Sequence, residues 1–254
     1  GLVVAPSDDE RVNDVLHQGC WTPIARVGNK APRKPVDHDN GDLWSATQSA
    51  TGPGKFEVLL NDVSQGMIEW SLKGGHNHSN AINAIAAARH AGVPTDVSIG
   101  ALNSFSGVKR RMEIIFEDTN TVIYDDFAHH PTAIRTTLQG LRDNASSDEI
   151  IAIIEPRTHT MSLGTLQADL TTCCAAADRV IWFRGSNIKW DLQQVAADCV
   201  VAAKVEDNTD QLIDNLLQLP NLEGGRKRHL VIMSNGAFDS IYSKIVTSFT
   251  ARSQ

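Results

Sequence analysis

The chain has 254 residues, of which 41% are hydrophobic and 21% are charged, a balance typical of a folded globular protein rather than a disordered one. Its length suits one large domain or two ordinary ones, and no run of residues is apolar for long enough to span a bilayer. The formal net charge of -7 argues against nucleic acid and anionic lipid as partners.

The cysteines indicate the cellular compartment of the protein, and the first residues indicate whether the sequence is a piece of a longer chain. Cys20, Cys173, Cys174 and Cys199 show neither metal-ligand spacing nor a disulfide framework, which predicts reduced thiols in a cytoplasmic protein. The chain opens at Gly1 on an apolar run instead of an initiator Met, so we expect a piece of a longer protein.

The first hundred residues predict a β-α unit, a β-rich stretch and two helices. Residues 1–6 form an apolar run typical of a buried strand, and Ser7 with the acidic residues after it predicts a helix through about Gln18. Residues 21–72 carry short β-rich runs between Gly, Pro, Asn and Asp, which predicts hairpins or a meander in a flap or sheet edge. Helices are expected at 77–90 and about 95–104.

Strands and helices alternate beyond a domain boundary that we place between residues 104 and 105. This alternation predicts right-handed crossovers and a doubly wound, mainly parallel α/β domain with ligands at the carboxyl edge of its sheet. The expected strands are RMEIIFED, TVIYDD, EIIAIIEP, RVIWFR and HLVIMSNG, with helices from Pro131, from about Leu163, near Trp190, near Asp210 and after the last strand.

A glycine turn that leads into the 77–90 helix is the first candidate site. Asn77 and Asn80 lie three residues apart and therefore share a helix face, with His76 beside them. Two carboxamides offer both donors and acceptors, which suits the edge of an adenine ring. An ordinary helix start rich in capping residues has the same composition.

Three consecutive cations before the RMEIIFED strand are the second candidate site. Alternation along a strand would turn Arg110 away from Lys109 and Arg111, so at least one guanidinium could face a cleft and bind phosphate. A solvated basic surface is the alternative.

The end of the TVIYDD strand is the third candidate site. Asp125 and Asp126 close the strand, and His129 and His130 precede the next helix. Carboxylates here suit ribose hydroxyls or metal-bound water, and imidazoles suit phosphate or a reacting carboxylate. Helix capping by Asp and surface exposure of His would explain the same residues.

Two further strand ends deliver polar side chains to the same edge of the predicted sheet. They are Arg157, Thr158 and His159 after EIIAIIEP, and Ser234 and Asn235 after HLVIMSNG. The sequence therefore predicts a polar rim that could bind a charged peptide.

Three of these segments resemble the Mur ligase family. GGHNHSNAINAIAAA is similar to the family's adenine-binding helix, and FSGVKRRME followed by YDDFAHHPTAI is similar to the elements that open its third domain. The similarity covers most of residues 74–135. It implies that residues 1–104 are the carboxyl-terminal part of a central ATP-binding domain and residues 105–254 a carboxyl-terminal peptide-binding domain.

The resemblance also implies a role for each candidate residue. Adenine would be bound by Asn77 and Asn80 with His76 nearby, and ribose by Asp126. Arg110 or Arg111 would approach the nucleotide phosphates. The incoming peptide would face His129 and His130 as catalytic residues and Arg157, Thr158, His159, Ser234 and Asn235 as substrate-binding residues.

Within the family, GCWTP, EPRTHTMSLG and MSNG are most similar to the branch that joins L-Ala-γ-D-Glu-meso-diaminopimelate to UDP-N-acetylmuramate in peptidoglycan recycling. ATP and Mg²⁺ are the implied cofactors. No G-x-x-x-x-G-K-[ST] string occurs in the chain, so we expect the phosphate loop and magnesium ligands outside it and no activity from the chain alone.

Three other functions fit parts of the sequence. A related branch adds L-alanine to the same nucleotide sugar. A metal-dependent phosphoesterase would use Asp125, Asp126, His129, His130 and His159 as ligands. A nucleotide-binding module without catalysis is the third.

Overall fold

A computed structural model describes residues 1–32, 34, 36–48, 54–70, 75–157, 166–186, 188 and 190–252, without the side chains of Gln48 and His76. The chain divides into two compact units, Gly1–Ser106 and Gly107–Gln254, shortly after the boundary that we placed from the sequence. Each unit has a sheet of its own.

The first unit is a five-stranded sheet in the order β1-β2-β3-β4-β5. Strands β1, β2 and β3 are parallel, and β3, β4 and β5 follow one another as an antiparallel meander. The β-rich stretch is therefore part of this sheet and not a separate flap. Its elements are β1 (Val3–Pro6), α1 (Glu10–His17), β2 (Ile24–Val27), β3 (Asp39–Gln48), β4 (Lys55–Leu60), β5 (Val63–Glu69), α2 (Gly75–His90) and α3 (Thr95–Asn103).

Alternating apolar residues attach this sheet to helix α2. Phe56 and Val58 of β4 are fully buried, and they belong to one core with Ile82 and Ile85 of α2. Spacings of two on the strand and three on the helix place each pair on one face. The start of α1 differs from our expectation, because Asp9 caps it instead of Ser7.

The second unit is a six-stranded sheet in the order β10-β9-β8-β11-β7-β6, parallel except for β6. Its elements are β6 (Glu113–Glu117), β7 (Thr121–Asp126), α4 (Pro131–Arg142), β8 (Glu149–Ile154), α5 (Gln167–Cys173), β9 (Arg179–Phe183), α6 (Leu192–Ala197), β10 (Ala202–Glu206), α7 (Thr209–Leu217), β11 (Arg228–Met233), a 3-10 turn (Phe238–Ser240) and α8 (Ile241–Arg252).

Apolar side chains cover both faces of this second sheet, as the uninterrupted apolar runs of β7, β8 and β11 predict. Along β8, Ala152 belongs to the core that contains Leu138 of α4, and Ile153 belongs to the core that contains Leu212 of α7. Helices therefore lie on both sides, and the doubly wound α/β fold is confirmed.

Two local expectations were wrong. Lys109, Arg110 and Arg111 lie in a turn before β6, because Arg110 and Met112 have φ values of 59° and 52°, which no strand adopts. Strand β10 was missed because AAKVE is short and carries a lysine in an otherwise weak apolar pattern.

Candidate functional site

The carboxyl ends of β7, β11 and β8 are neighbours and form one rim. The backbone ladder continues past the strands, because Ser234 N–H donates to the Asp126 carbonyl at 3.1 Å and Glu155 N–H donates to the Met233 carbonyl at 3.0 Å. The rim thus brings Asp126, Ser234 and the Arg157 segment together, as expected. Thr158 and His159 lie outside the described residues.

Arg110 connects β7, the loop after β11 and helix α8. Its guanidinium pairs with Asp125 at 3.2 Å and donates to the carbonyls of Ser234 and Gly236 at 2.6 and 3.1 Å. It also donates to the Tyr242 hydroxyl at 3.0 Å. So many internal partners give Arg110 a structural role, and a phosphate would have to displace some of them.

Arg111 is the more accessible of the two arginines. Its side chain is exposed, and its guanidinium carbon lies 5.5 Å from the centre of the Phe127 ring. Of the two residues named from the sequence, Arg111 is therefore the one that an anion can reach without breaking the Arg110 contacts.

Asp126 fixes two turns of the backbone. One carboxylate oxygen accepts from the Ala128 N–H at 2.8 Å and the other from the Met112 N–H at 2.9 Å. The residue is only 2% exposed, and burial raises the pKa of its carboxyl, partly offset by these two N–H groups. A ribose contact, the role implied by the family resemblance, would add to this structural role.

The two histidines differ in their surroundings. His129 Nδ1 lies 2.8 Å from the carbonyl oxygen of Phe127, and its ring meets the Phe127 ring edge-on. His130 is the N-cap of α4, where its Nδ1 accepts from the Thr132 N–H at 3.3 Å. These contacts orient both rings, and their predicted catalytic role stays a prediction.

Glu155 is a buried rim residue that we did not single out from the sequence. It is 5% exposed, and its Oε2 accepts from the Ser234 hydroxyl at 2.6 Å, while Ser234 itself is fully buried. The available signal was an acidic residue directly after the apolar run EIIAII. Nearby, Asn235 Oδ1 is buried and has no hydrogen-bond partner among the described residues.

The first turns of α2 form a separate candidate site in the first unit. Asn77 is half-buried and Asn80 is exposed, and the His76 side chain lies outside the described part of the chain. His78, which we did not select, stacks on Phe56 at 4.2 Å between ring centres, and burial lowers its pKa. His78 therefore packs this helix onto the sheet.

A metal site does not emerge from the described residues. Within them, no three His, Cys, Asp or Glu side chains are grouped to hold a metal ion, although His159 falls in an undescribed stretch. The phosphoesterase hypothesis loses its support from Asp125, Asp126, His129 and His130, and the Mg²⁺ prediction gains no ligand here.

No helix in the described ranges has the length and apolarity to cross a membrane.

The sequence of the chain is similar to those of known ligases. Residues 110–235 match the model of the Mur ligase glutamate ligase domain. The UDP-N-acetylmuramate–L-alanyl-γ-D-glutamyl-meso-2,6-diaminoheptandioate ligase of Escherichia coli K12 is 34% identical over 100% of this chain and 52% of that protein. The UDP-N-acetylmuramate–L-alanine ligase of Methylorubrum extorquens PA1 is 38% identical over 51% of this chain and 29% of its own.

The solved structure of a murein peptide ligase from Psychrobacter arcticus 273-4 is also similar, with a TM-score of 0.72 and 33% identity. It is matched over 98% of this chain and 51% of that one. The relatives that match nearly all of this chain are about twice as long, so the chain spans about half of their length. The fold, the rim and these similarities lead to one conclusion: the chain belongs to the Mur ligase family.

Proposed function

We propose that the protein carrying this chain is an ATP-dependent ligase that joins L-alanyl-γ-D-glutamyl-meso-diaminopimelate to UDP-N-acetylmuramate in the cytoplasm. The observation that carries the proposal is the 34% identity to the Escherichia coli tripeptide ligase across 100% of this chain. The L-alanine ligases match less well, with 38% identity over 51% of this chain in the Methylorubrum enzyme and 29% identity over 82% in that of Caldicellulosiruptor bescii.

The proposed chemistry has two steps. The muramyl carboxylate attacks the γ-phosphorus of ATP, which forms an acyl phosphate and releases ADP. The free amine of the peptide then attacks the acyl carbon, so that phosphate leaves, the nitrogen gives up one proton to the solvent, and an amide bond forms. Holding the amine against the acyl phosphate supplies much of the rate, because it replaces an encounter in solution.

Different residues would serve the nucleotide and the peptide. Accessibility supports Arg111 over Arg110 as the phosphate contact, and the carboxamides of Asn77 and Asn80 suit adenine. For the peptide, the rim offers the half-exposed Arg157 and, beside it, Asn235, whose buried oxygen has no hydrogen-bond partner within the described part of the chain. A guanidinium suits the carboxylates of a γ-D-glutamyl-diaminopimelate tail.

A product assay tests the ligase function. The full-length protein is incubated with ATP, Mg²⁺ and UDP-N-acetylmuramate, and with either the tripeptide or L-alanine, and products are identified by mass spectrometry. We expect the tripeptide conjugate together with ADP and phosphate. L-alanine conjugate as the main product would assign the protein to the other branch, and no conjugate from either acceptor would overturn the proposal.

Arg157→Ala tests the peptide side. Loss of a charge-assisted pair costs about 1.5 to 3 kcal/mol, so the KM for the tripeptide should rise about ten- to a hundredfold while the KM for ATP stays nearly unchanged. Arg179→Ala is a matched control, because the Arg179 side chain is 49% exposed against 48% for Arg157 and also pairs with a buried glutamate, but at the amino edge of the sheet. A rise in the KM for ATP alone would contradict the assignment.

A further inference from the structure

The Arg157 guanidinium lies directly against the backbone of Gly236. A Cβ atom built on Gly236 would stand 2.4 Å from Arg157 Nη1, 2.7 Å from Cδ and 2.8 Å from Cζ. The φ angle of Gly236 is not in the left-handed region, so its backbone does not require glycine. The space that a missing side chain leaves is therefore what this glycine provides.

Buried hydrogen-bonding groups fix the loop of residues 234–236, which contacts this guanidinium. The Gly236 N–H donates to Ser234 Oγ at 3.0 Å, and the Ser234 hydroxyl donates to Glu155 Oε2 at 2.6 Å. Arg110 also donates to two carbonyls of this loop, those of Ser234 and Gly236. A chain of buried hydrogen bonds of this kind keeps the loop in a single position.

Glu155 acts on Arg157 as well as on the loop. Its Oε1 lies 3.9 Å from Arg157 Nη1, and the Arg157 N–H donates to the Glu155 carbonyl at 2.9 Å. The carboxylate is 7% exposed, whereas 48% of the arginine side chain is exposed. The buried end of the pair can thus orient a guanidinium that a ligand in solution can reach.

We propose that Gly236 and Glu155 are positioning residues that hold the Arg157 guanidinium where it binds a carboxylate of the acceptor peptide. Gly236 supplies the space, and Glu155 anchors both the loop and the arginine. This inference rests on the proposed ligase function and deepens it, since it states what fixes the acceptor contact.

Gly236→Ala is the decisive variant. The clash involves the far end of a flexible side chain, so the protein should keep its fold while Arg157 moves away. We expect the KM for the tripeptide to rise on the order of tenfold, because small displacements of a positioning group carry large penalties, with the KM for ATP unchanged. Gly100→Ala is the matched control, since nothing lies within 4 Å of its Cβ position.

Three further measurements separate positioning from general damage. Glu155→Gln keeps the shape and an oxygen for the Ser234 hydroxyl but removes the charge, and should raise the same KM by a smaller factor. The Arg157 Nε–H signal in an NMR spectrum of the 254-residue chain should shift in Gly236→Ala and not in Gly100→Ala. The melting temperatures of Gly236→Ala and Gly100→Ala should stay close to that of the unmodified chain.

The outcomes distinguish this inference from the proposal beneath it. If Arg157→Ala raises the tripeptide KM and Gly236→Ala does not, the positioning role is overturned and the acceptor site stands. If Arg157→Ala leaves that KM unchanged, the acceptor role of Arg157 fails, and the positioning role fails with it. An unshifted Arg157 signal in Gly236→Ala would also overturn the inference.

Discussion

At the scale of single residues, Asp126 shows how a site carboxylate can be structural. Each of its oxygens accepts a backbone N–H, from Ala128 and from Met112, within a nearly closed environment. An asparagine could accept only one of these, so Asp126→Asn should destabilise the chain by about 1 to 3 kcal/mol.

The cost of Asp126→Asn should also depend on pH. Burial raises the pKa of the Asp126 carboxyl above 3.8, so the folded chain holds this proton more tightly than the unfolded chain does. The stability that this group contributes is therefore complete below its ordinary pKa and is lost as pH rises through the raised value.

Urea unfolding at about pH 4 and about pH 7 tests this sign. We expect Asp126→Asn to be more destabilising, relative to the unmodified chain, at the acid pH. Asp207→Asn serves as a control at an exposed aspartate and should have little effect at either pH. A larger cost at the neutral pH would show that the charged carboxylate, and not the protonated one, is favoured in the fold.

Residue-scale contacts mark the limit of what the sequence predicted in the site. Asp126, Arg157, Ser234 and Asn235 were found because they follow apolar strands, whose carboxyl ends meet at one edge. The hydrogen bond between Arg110 and Tyr242 could not be found in this way, because 132 positions separate the two residues and no local pattern connects them.

At the scale of elements, the β4–β5 hairpin depends on Gly54. This residue has a φ of +85°, and a Cβ there would stand 2.3 Å from the carbonyl oxygen of Trp70, a backbone atom. The Trp70 N–H also donates to the Gly54 carbonyl at 2.8 Å, so the two strands of the hairpin cannot separate at this end without losing this bond.

Gly54→Ala should therefore cost at least about 2 kcal/mol, from the strained φ together with the clash. Gly100→Ala, in helix α3 with open space around it, should be neutral or stabilise by up to about 1 kcal/mol. Urea unfolding followed by tryptophan fluorescence measures both. Equal effects of the two variants would contradict the role that we give to the Gly54 contact.

The sequence predicted correctly those elements whose local pattern of apolar and polar residues is strong. Strands β7, β8 and β11 are continuous apolar runs between polar residues, and all three were recognised. The sequence did not reveal that Lys109, Arg110 and Arg111 form a turn. Left-handed backbone angles at Arg110 and Met112 are set by contacts made after folding and leave no trace in residue type.

At the scale of the whole molecule, each unit contains its own hydrophobic core. Two clusters lie within the second unit, one on each face of its sheet, and a third lies within the first unit. A unit with a complete core can fold by itself. We therefore expect residues 107–254, expressed alone, to fold and to unfold cooperatively.

Thermal unfolding by circular dichroism and the dispersion of amide NMR signals test that expectation. The matched control is a fragment of residues 107–227, which lacks β11, the 3-10 turn and α8, and we expect it not to fold. Failure of the 107–254 fragment to fold, with the complete chain folding normally, would show that the second unit needs the first.

The position of β11 in the sheet has a consequence for how the protein is made. Arg228 pairs with both Thr121 and Glu149, so β11 lies between β7 and β8 although it is the last strand to be synthesised. While the ribosome is still translating, β7 and β8 have emerged with no shared partner, and each presents an unsatisfied backbone edge. The sheet can close only after Met233 leaves the exit tunnel, so folding of the second unit depends on protection of those edges until then.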